Sequence, residues 1–237
     1  MRQQRRLTMG LVGLMLCLGS CTGVPDEAGN TGISQTTPET TDTIPQNFPT
    51  IGVFDSARSR DILCYVTVTS RDGKTSEVGA SADLCDRSPS LTNQTLRFIY
   101  DDAVMPPEHC NNTGLCGANN RQTVISDVVM LGENWQVLSN GTWTVTVGQG
   151  ETWDGRNNTG NLTYYGCNDQ NDCLALTAGK ITCRDGFCHT GWQQEDYFYI
   201  LSTPIVEDGG APTTLRVHQG GEDLLNVPNM QVIDSSL

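Results

Sequence analysis

The sequence predicts an all-β protein, an antiparallel, disulfide-stapled barrel or sandwich organised as two small β units. Three observations carry this expectation. Clusters of Gly, Asn, Asp and Thr recur about every ten residues, the rhythm of short strands joined by turns. The runs between them alternate apolar and polar positions and favour β-branched and aromatic residues, as half-buried strands do. Eight cysteines lie beyond residue 21 (64, 85, 110, 116, 167, 173, 183 and 188), whereas strong helix formers are sparse in every window.

Order is expected to begin near Ile51. Ile62–Thr69 alternates and is β-branched, Asp72-Gly73 has the composition of a two-residue hairpin turn, and Thr75–Ala80 returns. Gln94–Tyr100 and Thr123–Leu131 complete a unit of about five strands over residues 49–132, for which an OB-like or SH3-like barrel is the expected form. Residues 133–237 hold all four tryptophans: Trp135, Trp143, Trp153 and Trp192. Strands at Thr142–Val147, Leu162–Tyr165, Lys180–Cys183, Phe187–Trp192, Tyr197–Ser202, Thr214–His218 and Leu224–Val227 form a meander. No internal repeat relates the two stretches, and the pattern is compatible with two domains or one continuous sandwich.

An even set of cysteines in an exported chain predicts disulfides. Cys183 and Cys188 flank Arg184-Asp185-Gly186-Phe187; a two-residue turn at Asp185-Gly186 makes them a facing, non-hydrogen-bonded pair within bridging range. Cys110–Cys116 and Cys167–Cys173 each close a short loop rich in Asn, Gly and Asp, and Cys64 and Cys85 remain. A two-residue turn at Asp72-Gly73 would set Cys64 opposite Ser81, four residues short of Cys85. Zinc is disfavoured despite His109 and His189 beside cysteines, because no Cys-x-x-Cys or His-x-x-x-His spacing occurs. No metal site and no cofactor is expected.

Catalytic signals are weak, and no catalytic residue is assigned. The three histidines (His109, His189 and His218) sit in no zinc-protease helix motif, and neither a Gly-x-Ser-x-Gly elbow nor a P-loop is present. Glu195-Asp196 are adjacent, so on a strand they face opposite sides and cannot act together as a glycosidase pair. The loops Glu151–Asn158 and Asn168–Asp172 gather hard oxygens, but without the glutamate an EF-hand needs they read as turns. The aromatic set Trp135, Trp143, Trp153, Tyr164, Tyr165 and Trp192 suits core packing or a sugar platform. Trp143 and Trp192 lie on patterned strands and are expected in the core. Trp153 lies in a polar Gly/Asn loop, so Trp153, Asp154, Asn157 and Asn158 are the candidate ligand contacts.

Residues 1–21 read as an export signal, with Arg2, Arg5 and Arg6 followed by an apolar run from Leu7 to Leu18 and then small residues. The run is roughly 12 residues, short of the ~20 a membrane span needs. Its end, Leu18-Gly19-Ser20-Cys21, resembles the lipobox of bacterial lipoproteins. The resemblance implies removal of residues 1–20, diacylation of Cys21 and a membrane partner reached through that lipid. Thr22 after the cysteine resembles the outer-membrane sorting class, although either the outer or the plasma membrane is compatible. Arg5-Arg6 loosely resembles a twin-arginine signal. Residues 21–48 then supply the lipidated cysteine and a disordered tether, since Thr, Pro, Gln and acidic residues cannot bury enough surface to offset their ordering entropy.

The chain carries −13, and losing its three basic leader residues takes it to −16. Such a surface repels nucleic-acid phosphates and anionic headgroups, so no nucleic-acid partner is expected. Asn-x-Thr triplets at Asn93, Asn111, Asn140, Asn157 and Asn161 would be glycosylation acceptors in a eukaryotic secreted chain. The expected function is that of a non-catalytic interaction or accessory module of the bacterial cell envelope. A carbohydrate- or peptidoglycan-binding module is the alternative, and an envelope hydrolase a distant one.

Overall fold

The computed structural model describes residues 48–60, 62–114, 116–207 and 210–236. The leader, Cys21 and the tether up to residue 47 lie outside them. Strands β1 (Ile51–Arg60), β2 (Leu63–Ser70), β3 (Thr75–Ala80), β4 (Gln94–Val104) and β5 (Arg121–Met130) close a first barrel in the order β1-β2-β3-β5-β4. β4 pairs with both β1 and β5, and β3 meets β5 in parallel at Ala80 and Ile125. This is a five-stranded Greek-key barrel with a helix between β3 and β4. Its core is the inward set Phe54, Cys64, Val66, Val68, Leu96 and Ile125, each fully buried.

Two helices were not legible in the sequence. α1 (Ala82–Leu91) buries only Leu84 and Leu91, carries Pro89 in its last turn and is otherwise Ala82, Cys85 and Asp, Ser and Arg residues. Its amphipathic signal is therefore two residues wide. Arg87 ties it to the barrel through Asp127, 2.9 Å away. α2 (Pro107–Thr113) is a short segment opened by Pro107 and ended by left-handed Gly114.

The remaining strands form a second closed barrel: β6 (Gln136–Ser139), β7 (Thr144–Gly148), β8 (Thr159–Cys167), β9 (Cys173–Arg184), β10 (Phe187–Gln194), β11 (Tyr197–Pro204), β12 (Thr213–Gln219) and β13 (Glu222–Ser235). Each pairs antiparallel with its neighbours in sequence, and β13 closes the ring onto β6. This is an eight-stranded up-and-down barrel, whose closure leaves no strand edge unpaired. At eight strands the interior is just wide enough for side chains to fill it. Here Leu138, Val145, Leu162, Tyr164, Leu215 and Trp192 do so. Trp192 is the largest fully buried side chain among the described residues. Its Nε1 donates to the Leu162 carbonyl (3.0 Å), its ring meets that of Tyr164 at 5.1 Å, and Gly179 lies where any Cβ would collide with its indole.

The two barrels join without a linker. Leu131 follows β5 and donates its backbone N–H to Thr95, while Thr163 Oγ1 on β8 donates to the Met130 carbonyl (2.6 Å). Ile51, Leu131, Trp135 and Val137 make one buried cluster across the seam. Arg97 of β4 donates to Thr146 Oγ1 (3.0 Å) and lies over the Tyr165 ring at 4.9 Å; Arg71 lies over Trp135 at 5.0 Å and pairs with Asp234.

Four disulfides staple the fold: Cys64–Cys85, Cys110–Cys116, Cys167–Cys173 and Cys183–Cys188. These are the expected pairs. Cys183 and Cys188 face each other across β9 and β10 with Cα atoms 4.0 Å apart. Asp185 (φ 53°) and Gly186 (φ 79°) supply the two positive φ angles their turn requires. The Asp72-Gly73 turn departs from expectation. Ser70 and Lys74 close it, giving a three-residue loop with Gly73 left-handed, and the register moves by one so that Cys64 faces Ala80 instead of Ser81. α1 then carries Cys85 back over the barrel to Cys64.

Burial has a consequence at high pH. Tyr100 donates its hydroxyl to the Pro49 carbonyl (2.8 Å) and Tyr164 lies inside the second barrel; desolvation pushes both phenols above the ordinary range. A pKa raised in the folded state gives stability that is present below the unfolded value of about 10 and is lost as pH rises through the folded one. Titration from pH 8 upward, read by phenolate absorbance and near-UV circular dichroism together, is expected to show these two phenols ionising only as the dichroism collapses. Complete ionisation of all six tyrosines with the dichroism intact would contradict this.

Candidate functional site

A hollow lies on the outside of the second barrel. Along β9 to β12, the inward positions Leu176, Trp192, Leu201 and Leu215 are buried, so the alternate residues face outward. Register aligns them in rows: Thr182, His189 and Ser202; Lys180, Gly191, Ile200 and Arg216; Gln193, Phe198 and His218. Gly191 has no side chain at the centre of this face, and a hollow of about 370 Å³ results. Phe198 and Ile200 form its apolar wall, and Asn158, Lys180, Thr182, His189 and Gln193 supply polar groups. Phe198 remains 44 % exposed. His189 Nδ1 is 2.9 Å from Ser202 Oγ, and its ring stacks on Phe187 at 6.0 Å. No carboxylate is hydrogen-bonded to that imidazole among the described residues, so the pair lacks the orienting third group of a nucleophilic triad.

The Trp153 loop is folded on itself. Trp153 is half-buried and its Nε1 donates to the Arg156 carbonyl (2.9 Å). Asp154 accepts from Thr159 Oγ1 (2.6 Å) and from the Arg156 backbone, which together hold its carboxyl below the usual range. Asn157 Oδ1 accepts from the Cys183 backbone (2.8 Å). Asn158, left-handed at φ 62°, is the member of this set that lines the hollow. The other candidate oxygens also serve turns. Asn168 Oδ1 accepts from the backbones of Gln170 and Asp172; Glu195 and Asp196 make the β10–β11 turn, where Asp196 accepts from Gln219.

The aromatic set does not form one platform. Tyr164 and Trp192 fill the barrel, Trp135 and Tyr165 lie at the seam, and Trp143 is only partly buried. Trp143 lines a second hollow, of about 230 Å³, at the barrel mouth with Tyr164, Leu174, Tyr199, Val217 and Leu225. The histidines are dispersed as well: His109 is buried on α2, His189 lies on the outer face, and His218 is 2.5 Å from Asp223. Among the described residues, no group of three or more His, Cys, Asp or Glu is placed to hold a metal ion.

No family model, curated protein or solved structure matches this chain. The class the fold defines is an all-β protein of two closed barrels with four disulfides. Disulfides in this number belong to an oxidising, extracytoplasmic compartment. No helix among the described residues is long and apolar enough to cross a membrane.

Proposed function

We propose that this chain is a lipid-anchored lipoprotein of the bacterial cell envelope that works as a non-catalytic binding or accessory module. On this reading residues 1–20 are removed, Cys21 carries the acyl chains, and the tether holds the barrels clear of the headgroups. Several acyl chains on one cysteine give stable anchoring, at about 0.8 kcal/mol per buried methylene. The observation that best supports a binding role is the outer-face hollow. It offers an apolar wall, amides, a hydroxyl and a cation, a set suited to holding a ligand. Its aromatic and amide lining also favours a glycan as the partner.

Mass spectrometry of the chain made in a bacterial host tests the anchor. The mature N-terminus is expected at a diacylated Cys21, and Cys21→Ser is expected to abolish both acylation and detergent-phase partitioning. An unmodified Cys21, or a cut elsewhere, would overturn the reading.

A further inference from the structure

We propose that the hollow around Gly191 binds an acidic glycan, a saccharide chain that carries carboxylates. This deepens the binding-module reading and rests on it. The first argument is charge placement. Residues 133–237 contain thirteen Asp and Glu but only four Lys and Arg. All four cations are exposed to solvent, and three of them belong to this face or its border. Lys180 lines the hollow, Arg216 flanks Ile200, and Arg184 flanks Phe187 across the β9–β10 turn. Arg156 lies in the loop that delivers Asn158, two residues on.

None of the lining residues is acidic. Acids on these strands lie at their ends: Asp185 in one turn, Glu195 and Asp196 in the next, Glu207 beyond the end of β11, and Glu222 and Asp223 at the start of β13, Asp223 against His218. Asp154 is held in its own loop by Thr159 and Arg156. In a barrel this acidic, a cationic centre on one face focuses attraction for anions there and repels them elsewhere. Exposed guanidinium groups match carboxylates in a two-point fork.

The second argument is the chemistry between the cations. Phe198 offers an exposed ring face for the apolar side of a pyranose, and Asn158, Gln193 and Thr182 offer the amides and hydroxyl that ring hydroxyls use. One of the Lys180 ammonium protons is held by the Gly160 carbonyl (2.6 Å), which fixes the charge over the hollow and leaves other donors for a ligand. Lys180 on β9 and Arg216 on β12 lie in one row, three strand spacings or roughly 14 Å apart. One extended oligosaccharide seated on Phe198 spans that distance.

Gly191 gives a clean test. A Cβ there has only the Tyr199 carbonyl within 4 Å, at 3.9 Å, and the backbone is ordinary strand, so Gly191→Val brings its side chain into the hollow from a Cβ that meets no clash. Calorimetric titration of the full-length chain in detergent would use oligogalacturonate, neutral maltohexaose and polyglutamate as probes. Oligogalacturonate is expected to bind at least about tenfold more tightly than either of the others. Gly191→Val and Phe198→Ala are each expected to weaken it by about tenfold or more, Arg216→Gln by about threefold to tenfold, and Trp153→Ala by less than about twofold.

Absence of oligogalacturonate binding, equal binding of maltohexaose, equal or tighter binding of polyglutamate, or indifference to both Gly191→Val and Phe198→Ala would each overturn the proposal. Cys21 processing reads separately. Intact acylation without glycan binding overturns this site alone, and glycan binding with an unmodified Cys21 overturns the anchor alone.

Discussion

Trp192→Ala is expected to destabilise the second barrel by about 3–5 kcal/mol, the largest effect of any single substitution considered. The side chain is 2 % exposed and fills the middle of a closed ring of strands. A barrel cannot collapse around the void without breaking ladder hydrogen bonds, which places the cost at the upper end for a large-to-small change. The substitution also removes the donor to the Leu162 carbonyl. That carbonyl lies at a register shift between β8 and β9, where regular ladder pairing is interrupted. Leaving a buried acceptor unpaired costs about 1–3 kcal/mol by itself. Urea unfolding followed by far-UV dichroism measures the sum, and Trp192→Phe, which keeps most of the volume and loses the donor, is expected to fall between. A loss below about 1 kcal/mol for Trp192→Ala would mean that the indole is not the keystone its packing implies.

Removing the Cys64–Cys85 bridge is the second large effect. Cys64 is fully buried on β2, and its partner lies on α1, 21 residues away. The bridge holds down a helix that buries only Leu84 and Leu91. In the chain-entropy account a loop of that size is worth about 3 kcal/mol, and one the size of the Cys183–Cys188 loop about 2 kcal/mol. Cys64→Ala/Cys85→Ala is therefore expected to lower the urea midpoint further than Cys183→Ala/Cys188→Ala. The reverse order would show that loop length does not govern these staples.

The strands, the turn at Asp185-Gly186 and the three disulfides of short separation were legible because they depend on neighbours close in sequence. Alternation exposes one face of a strand, and two adjacent positive-φ residues force a tight hairpin with the flanking cysteines opposed. The turn at Asp72-Gly73 was misread by one residue because the same dipeptide suits a two- or a three-residue loop. Ser70, whose hydroxyl has the Asp72 carboxylate and the Lys74 carbonyl as its acceptors, favours the longer one. α1 was hidden because tertiary contact and a disulfide, rather than its own composition, stabilise it.

The candidate site was less legible. Trp153 drew attention as an aromatic in a polar loop, but its indole N–H is taken by that loop. The residues around the hollow carry no motif. Alternation along β10 does put Phe187, His189, Gly191 and Gln193 on one face opposite Trp192, a signal readable in retrospect. What it could not show is which strands stand beside that face. By itself the sequence determined the all-β class, the close cysteine pairs, above all Cys183–Cys188, and the expectation of a lipid anchor, all of which follow from local pattern and spacing. Only the tertiary structure decided that the strands close into two rings, and that Lys180, Ile200 and Arg216 share a row with Gly191. Cross-strand register sets those neighbours, and it is fixed by the packing of the whole barrel around Trp192.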